Sequence, residues 1–250
     1  MITGASSGIG EALCKHYANE NVSIALVARR KDLLENVAEQ CEILGANTYI
    51  YNCDVTNQQE IGLAAKAFID AVGVPDIVIA NAGTRVEEDI FFKNTDACEE
   101  NMKVNYFGLV NTFLPFIESM TDAKHGHFVA ISSIGSLRST PNSGAYSASK
   151  SAVNLWTEGL RLRMKSYNIS VTTICLGFVD TGMTEELDFW MPGILTSDEA
   201  AIKISRVIEK KERQIILPFT AKFIWGIFMY MPDKLYDRFI IFMRKILTKK

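Results

Sequence analysis

The sequence predicts an α/β fold, a doubly wound parallel sheet with helices on both faces. Three observations carry this prediction. Short apolar runs alternate with longer amphipathic stretches along most of the chain. Several of those runs are nearly continuous Val, Ile, Leu and Ala, as expected of parallel strands covered on both sides. A glycine-rich junction, Thr3-Gly4-Ala5-Ser6-Ser7-Gly8-Ile9-Gly10, joins the first run to the first amphipathic stretch. Repeated βα units of this kind close into one sheet through right-handed crossovers.

The elements follow in order. Ile2-Thr3 reads as the end of a first strand. A buried central strand normally has about 5–6 residues, so the text is expected to open inside that strand. Further strands are predicted at 22–28, 48–52, 76–80, 127–132, 169–175 and 214–217. Helices are predicted at 8–20, 31–44, 57–72, 97–119, 144–167 and 197–211. The 250 residues, 48% hydrophobic and 22% charged, suffice for one globular domain with a large core. A net charge of -3 gives no reason to expect a nucleic-acid partner. Cys14, Cys41, Cys53, Cys98 and Cys175 are scattered and odd in number, which reads as reduced thiols in a cytoplasmic compartment.

The glycine-rich junction suits a phosphate group. Gly4, Gly8 and Gly10 permit a tight turn and close backbone approach. With Ser6, Ser7 and Ile9 they open a helix whose N-terminus offers free N–H groups and a positive dipole end. A glycine triplet alone is a weak signal, but further features follow in the required order. Asp54-Val55 follows the third strand, where a carboxylate can meet an adenine amino group. Asn81-Ala82-Gly83 ends the fourth, where small residues admit a ribose or nicotinamide. Asn105 lies in Val-Asn-Tyr-Phe-Gly on the long helix, Ser133 ends the fifth strand, and Tyr146-x-x-x-Lys150 opens the next helix.

With this set the sequence resembles the short-chain dehydrogenase/reductase family, in its single-domain branch, over residues 1 to about 217. The resemblance implies a Rossmann fold, a dinucleotide cofactor and transfer of a hydride between that cofactor and a small-molecule carbonyl or alcohol. The catalytic set it implies is Asn105, Ser133, Tyr146 and Lys150. Tyr146 would protonate the carbonyl oxygen, and Lys150 would hold the nicotinamide ribose hydroxyls. Asn105 would hold a water linking the lysine to solvent. Tyr146 and Lys150, four apart, share a helix face, and a neighbouring ammonium favours phenolate. Ser133 stands 13 residues before Tyr146, the family's usual interval, and would hydrogen-bond the substrate oxygen. Strand alternation points Ser132 the other way.

The family usually carries Pro-Gly and then a carboxamide-binding Thr after the sixth strand. Here the text is Leu176-Gly177-Phe178-Val179-Asp180-Thr181. Val179 and Thr181 are kept as cofactor contacts, while loss of the proline's fixed φ is expected to loosen the turn. The second strand ends at Val27-Ala28-Arg29-Arg30, with no carboxylate for a ribose 2′-hydroxyl. Two guanidinium groups suit a 2′-phosphate, so the expected cofactor is NADP(H). His125 and His127 read as a loop entering the fifth strand rather than as ligands, and no metal is expected. Residues 183–193 fall where the family has its substrate lid, with Phe189, Trp190 and Met191 as pocket wall or local core.

From residue 218 the text becomes apolar and basic. Lys222, Lys234, Arg238, Arg244, Lys245, Lys249 and Lys250 face only Asp233 and Asp237. The apolar run Phe223–Met231 is too short to span a bilayer. Leu235, Phe239, Phe242 and Ile246 recur at helical spacing, which fits an amphipathic interfacial helix. Residues 218–250 are therefore expected to pack on their own domain, at a subunit interface of a homodimer or homotetramer, or on a membrane surface. Lipid contact would make a lipophilic ketone the natural substrate. The leading reading is a ketone or aldehyde reductase. The same chemistry run oxidatively as an alcohol dehydrogenase, or a catalytically silent nucleotide-binding scaffold, are the alternatives; an intact Asn105, Ser133, Tyr146 and Lys150 set argues against the last.

Overall fold

The computed structural model describes residues 1–89, 91, 93–184 and 193–247. Seven parallel strands form one sheet: β1 (Ile2–Thr3), β2 (Ser23–Ala28), β3 (Asn47–Asn52), β4 (Ile77–Ala80), β5 (His127–Ser133), β6 (Ser170–Leu176) and β7 (Gln214–Leu217). Their spatial order is β3-β2-β1-β4-β5-β6-β7. The chain winds outward from β1 in one direction and from β4 in the other. The crevice at the carboxyl ends of β1 and β4 is the switch point where ligands settle in open α/β sheets.

Helices cover both faces because the strands are apolar on both. Helices α1 (Gly8–Tyr17), α2 (Lys31–Ile43) and α7 (Ser197–Glu209) bury Leu13, Leu34 and Ile204 against β1, β2 and β6. Helices α3 (Gln58–Val72), α5 (Gly108–Ala123) and α6 (Gly144–Met164) bury Phe68, Phe113, Phe116 and Val153 against the opposite face. Thr196 and Glu199 close a capping box that starts α7, and the Asn57 side chain caps α3.

The predicted strands and helices are all present, with ends that coincide or are displaced by at most four residues. Helix α1 stops at Tyr17 because Ala18 turns extended and Asn21 takes φ 71°. Helix α6 ends in a tight turn, Lys165–Tyr167, before Asn168 at φ 60°. The helix predicted at 97–119 is a longer rod: α4 (Asp96–Asn101), a π-type segment Met102–Phe107, then α5 with Pro115 inside it. Beyond β7 the chain forms α8 (Phe219–Tyr230) and α9 (Asp233–Leu247). Among the described residues no helix is long and apolar enough to cross a membrane.

Candidate active site

The glycine loop is shaped by what it must avoid. Gly4 and Gly8 hold φ +67° and +56°, left-handed conformations that disfavour a side chain. A Cβ on Gly10 would fall 2.1 Å from the Gly4 carbonyl oxygen, and one on Gly4 would fall 2.9 Å from the Ala82 Cα. The loop therefore lies flat against the end of β4. Thr3 Oγ1 accepts from the backbone N–H groups of Asn81 (3.1 Å) and Ala82 (3.2 Å), and Asn81 Nδ2 donates back to the Thr3 carbonyl at 3.0 Å. The result is a backbone cradle at the start of α1.

At the far end of β2, Arg30 donates to Ser6 Oγ (3.1 Å) and Ser7 Oγ (2.6 Å). The guanidinium thus sits over the glycine loop. Arg29 is exposed and pairs with Asp54 at 3.5 Å. Burial pushes the Asp54 carboxyl up, but hydrogen bonds from Thr56 and the Arg29 charge together hold it below the usual carboxylate range. Ala28 closes β2 and is buried, so no carboxylate occupies that strand end.

A cleft of about 610 Å³ runs from Arg29 and Arg30 past the glycine loop to Tyr146, Lys150 and Thr181. Its size is ordinary for a cofactor site. Val55, Asn81, Gly83 and Val179 also line it. A cradle that only glycine can form, set under two arginines, fits a dinucleotide phosphate chain.

The candidate catalytic end is assembled from three elements. Tyr146 and Lys150 project from the first turns of α6. Lys150 Nζ donates to the Ile131 carbonyl at 3.0 Å, which brings α6 down on β5. The Ser133 hydroxyl accepts from the Gly135 N–H at 3.1 Å and hydrogen-bonds the Tyr146 phenol. Gly135 is close by: a Cβ there would lie 3.4 Å from both Ser133 Oγ and Tyr146 Cε1. Ser132 turns away and donates to the Lys150 carbonyl. Asn105 lies in the π-type segment. Its Oδ1 accepts from the Thr84 N–H at 2.8 Å, and its Nδ2 donates to the Thr84 carbonyl and to Ser149 Oγ, both at 2.9 Å. A π-type turn widens the helix locally and often marks a functional site. Gly83 is packed between the two groups, with a hypothetical Cβ 3.1 Å from Asn105 Oδ1 and 3.5 Å from Lys150 Nζ.

Electrostatics differ from the sequence expectation in one respect. Burial raises the Tyr146 phenol above its ordinary value, opposed by the Ser133 hydrogen bond and the Arg85 charge. The Lys150 ammonium itself donates to the Ile131 carbonyl. Burial lowers Lys150 to about 8. Tyr146 is thus held as a phenol, a proton donor, rather than as phenolate.

The turn after β6 is held rather than loosened. Leu176 stays in register with Ser133 and Leu217, and the Gly177 N–H donates to the Leu217 carbonyl at 2.7 Å. Thr181 reaches Gly8, whose hypothetical Cβ would meet its methyl at 3.1 Å. His127 is buried against Thr172 at 2.8 Å and lowered to about 4 by burial, and His125 meets Asp76 at the surface. No cluster of potential metal ligands occurs among the described residues. Phe189, Trp190 and Met191 lie outside the described residues.

Two arginines were not legible as site residues. Arg85, its side chain 13% exposed, lines the cleft beside Tyr146, pairs with Glu87 and donates to Ser143 Oγ at 3.0 Å. Arg138 lines the same end, between Ser133 and Tyr146 in sequence. It donates to the Phe228 and Met231 carbonyls, each at 2.8 Å, and to Asp233 at 2.7 Å, and lies over the Tyr236 ring. Neither belongs to a periodic pattern or to the motifs above. Only the fold brings them to the cleft.

Sheet order, glycine cradle and cleft together define a nucleotide-binding α/β protein. The chain belongs to the short-chain dehydrogenase family, whose model, described as short chain dehydrogenase, matches residues 1–192. An uncharacterized oxidoreductase of Mycobacterium tuberculosis is 33% identical over 226 residues, 88% of this chain. The chain spans only 66% of that relative's length. A protein of Acinetobacter baylyi named fatty acyl-CoA reductase is 33% identical over 86% of this chain and 74% of its own. The X-ray structure of an alcohol dehydrogenase from the archaeon Thermococcus sibiricus, complexed with 5-hydroxy-NADP, superposes with a TM-score of 0.75. It is 25% identical, and the match covers 86% of this chain and 94% of that one.

Proposed function

We propose that this protein is an NADP(H)-dependent reductase that converts a lipophilic ketone or aldehyde to the alcohol. The observation that carries the reading is one cleft with two chemically distinct ends. Arg29 and Arg30 stand at one end, with no carboxylate closing β2. Ser133, Tyr146, Lys150 and Asn105 converge at the other. Asp54, Val55, Asn81, Ala82, Val179 and Thr181 complete the cofactor contacts in this reading. The NADP named with the archaeal alcohol dehydrogenase and the acyl-CoA reductase name of the Acinetobacter relative support the cofactor and the lipophilic substrate class.

When bound, the reduced cofactor supplies a hydride to the carbonyl carbon. The chain's own residues manage the oxygen. Ser133 donates a hydrogen bond to it and stabilises its developing negative charge. Tyr146 gives up its phenolic proton to it, and the C=O π pair becomes the new O–H bond. Lys150, protonated below about pH 8, restores that proton. Asn105 fixes Thr84 and Ser149, and Ser149 donates to the Tyr146 carbonyl at 2.7 Å, so the first turn of α6 is held in place.

Residues 1–217 form the cofactor-binding and catalytic unit in this reading, with 218–250 an extension for the domain or a membrane surface. Exposed Phe107, Leu114, Leu155 and Leu162 support a homodimer or homotetramer, and the four buried thiols support a reducing, cytoplasmic setting. NADPH oxidation against ketones and aldehydes graded by chain length tests the function. Tyr146→Phe is expected to lose about 10²–10⁴-fold in kcat. Undiminished turnover in that variant would overturn the mechanism.

A further inference from the structure

We propose that the α8–α9 hairpin docks this protein on an anionic bilayer, with the substrate end of the cleft at the lipid surface. The second half of that statement rests on the reductase reading; the first does not.

Among the described residues the hairpin has one packed face and one exposed face. On the packed side Ala221 and Tyr236 are buried and the Phe228 ring packs on Tyr236 (6.1 Å), with Phe239 at the edge between the two sides, 5.2 Å from Phe228. On the other side Phe223, Ile227 and Tyr230 recur at i, i+4, i+7 along α8, and Leu235, Phe239 and Phe242 repeat that spacing on α9. Phe223 is 69% exposed, Tyr230 86% and Phe242 60%. Contiguous exposed aromatics and aliphatics of this kind mark an interaction surface.

Charge selects the occupant. Residues 218–250 carry seven basic and two acidic side chains on a molecule of net charge -3. One of the two acids, Asp233, is already paired with Arg138. Exposed Lys222, Lys234 and Arg238 stand beside the apolar rows. A second copy of this chain would bring two positive faces together. An acidic lipid surface complements both the charge and the apolar rows. Helix α8 has 12 residues and α9 has 15, so both suit the interface plane rather than the bilayer interior, which needs about 20.

The clamp at Arg138 fixes where this face lies. The same guanidinium that lines the cleft holds the end of α8 and the start of α9, and the Tyr236 hydroxyl donates to the Ser139 carbonyl at 2.8 Å. The docking face is therefore tied to the loop between Ser133 and Tyr146. A long-chain aldehyde or ketone dissolved in lipid would reach that end directly.

Co-sedimentation of the full-length protein with phosphatidylcholine vesicles, with and without phosphatidylglycerol, tests the docking. Binding to the anionic vesicles is expected to be at least about tenfold tighter and to weaken with salt. The Phe223→Ser/Phe242→Ser and Lys222→Glu/Arg238→Glu pairs are each expected to lower it by about tenfold or more. Thermal melting of both pairs reports that they fold. Absence of binding, equal binding to neutral vesicles, or a dimer that both pairs dissociate would overturn the proposal. In the NADPH assay, KM for a long-chain aldehyde in anionic vesicles is expected to rise in both pairs, while a short water-soluble aldehyde is reduced as before. Vesicle binding by a wild-type protein that reduces no carbonyl would sink the reductase reading and leave the docking standing.

Discussion

At the scale of single residues, Tyr146 and Lys150 are buried together, and burial moves them in opposite directions. It disfavours phenolate at Tyr146 and ammonium at Lys150. The phenol therefore stays protonated past the ordinary tyrosine range, ready to donate. The ammonium is the form lost first, as pH rises through about 8. If Lys150 returns the proton, the reduction rate falls as pH rises through that value and holds below it. Lys150→Arg keeps a cation at every accessible pH, so the high-pH loss is expected to disappear from whatever activity remains. A limb that stays near pH 8 in Lys150→Arg would assign it to another group. The spacing of Tyr146 and Lys150 was readable from sequence because helix geometry fixes which residues share a face. The direction of the Tyr146 shift was not, because it is set first by burial of the phenol in the folded cleft, which helix spacing does not show.

At the scale of elements, the loop Ile134–Ser143 is tied by one side chain from elsewhere in the chain and by one of its own. Arg85 holds Ser143 at the start of α6. Arg138 holds the α8–α9 junction through two carbonyls, a carboxylate and a ring. Its side chain is 18% exposed, so its hydrogen bonds are made largely out of water, whereas Asp233 is almost fully exposed and its pairing is screened. Arg138→Ala is expected to cost about 2 kcal/mol of stability, from the lost charged hydrogen bonds. Asp233→Asn is expected to be nearly silent in the same melting experiment. In steady-state kinetics Arg138→Ala should raise KM for the carbonyl and leave KM for NADPH nearly unchanged, since the proposed site of the cofactor phosphates is the glycine loop, at the other end of the cleft. Equal loss for both substrates would show a general structural role instead. The strands and helices were legible because each carries its own apolar period. The π-type segment and α8 were not. The first has no local apolar signal and is seen only with Asn105 bonded to Thr84 and Ser149, and the second is apolar nearly all round, so its period is masked.

At the scale of the whole molecule, charge is divided along one cleft. Arg29 and Arg30 stand at the end of the cleft proposed to take the adenosine, on a protein that is net negative, and Asp54 neutralises only part of their charge. Arg30 is already fixed by Ser6 and Ser7, so a 2′-phosphate would meet a preset guanidinium rather than order a free one. A ligand that binds only the folded state stabilises it by about 2.7 kcal/mol at a hundredfold excess over Kd. For a chain of this size that corresponds to roughly 5–10 °C in melting temperature. NADPH at such an excess is therefore expected to raise Tm by that amount, and NADH at equal concentration by much less. Arg29→Asp should shrink the NADPH shift and narrow the gap between the two, because it places a carboxylate beside the site of the 2′-phosphate. An NADH shift equal to that of NADPH in the wild type would overturn the cofactor assignment. It would leave the role proposed for the glycine cradle untouched, since the pyrophosphate proposed to lie at Gly4, Gly8 and Gly10 is common to both cofactors.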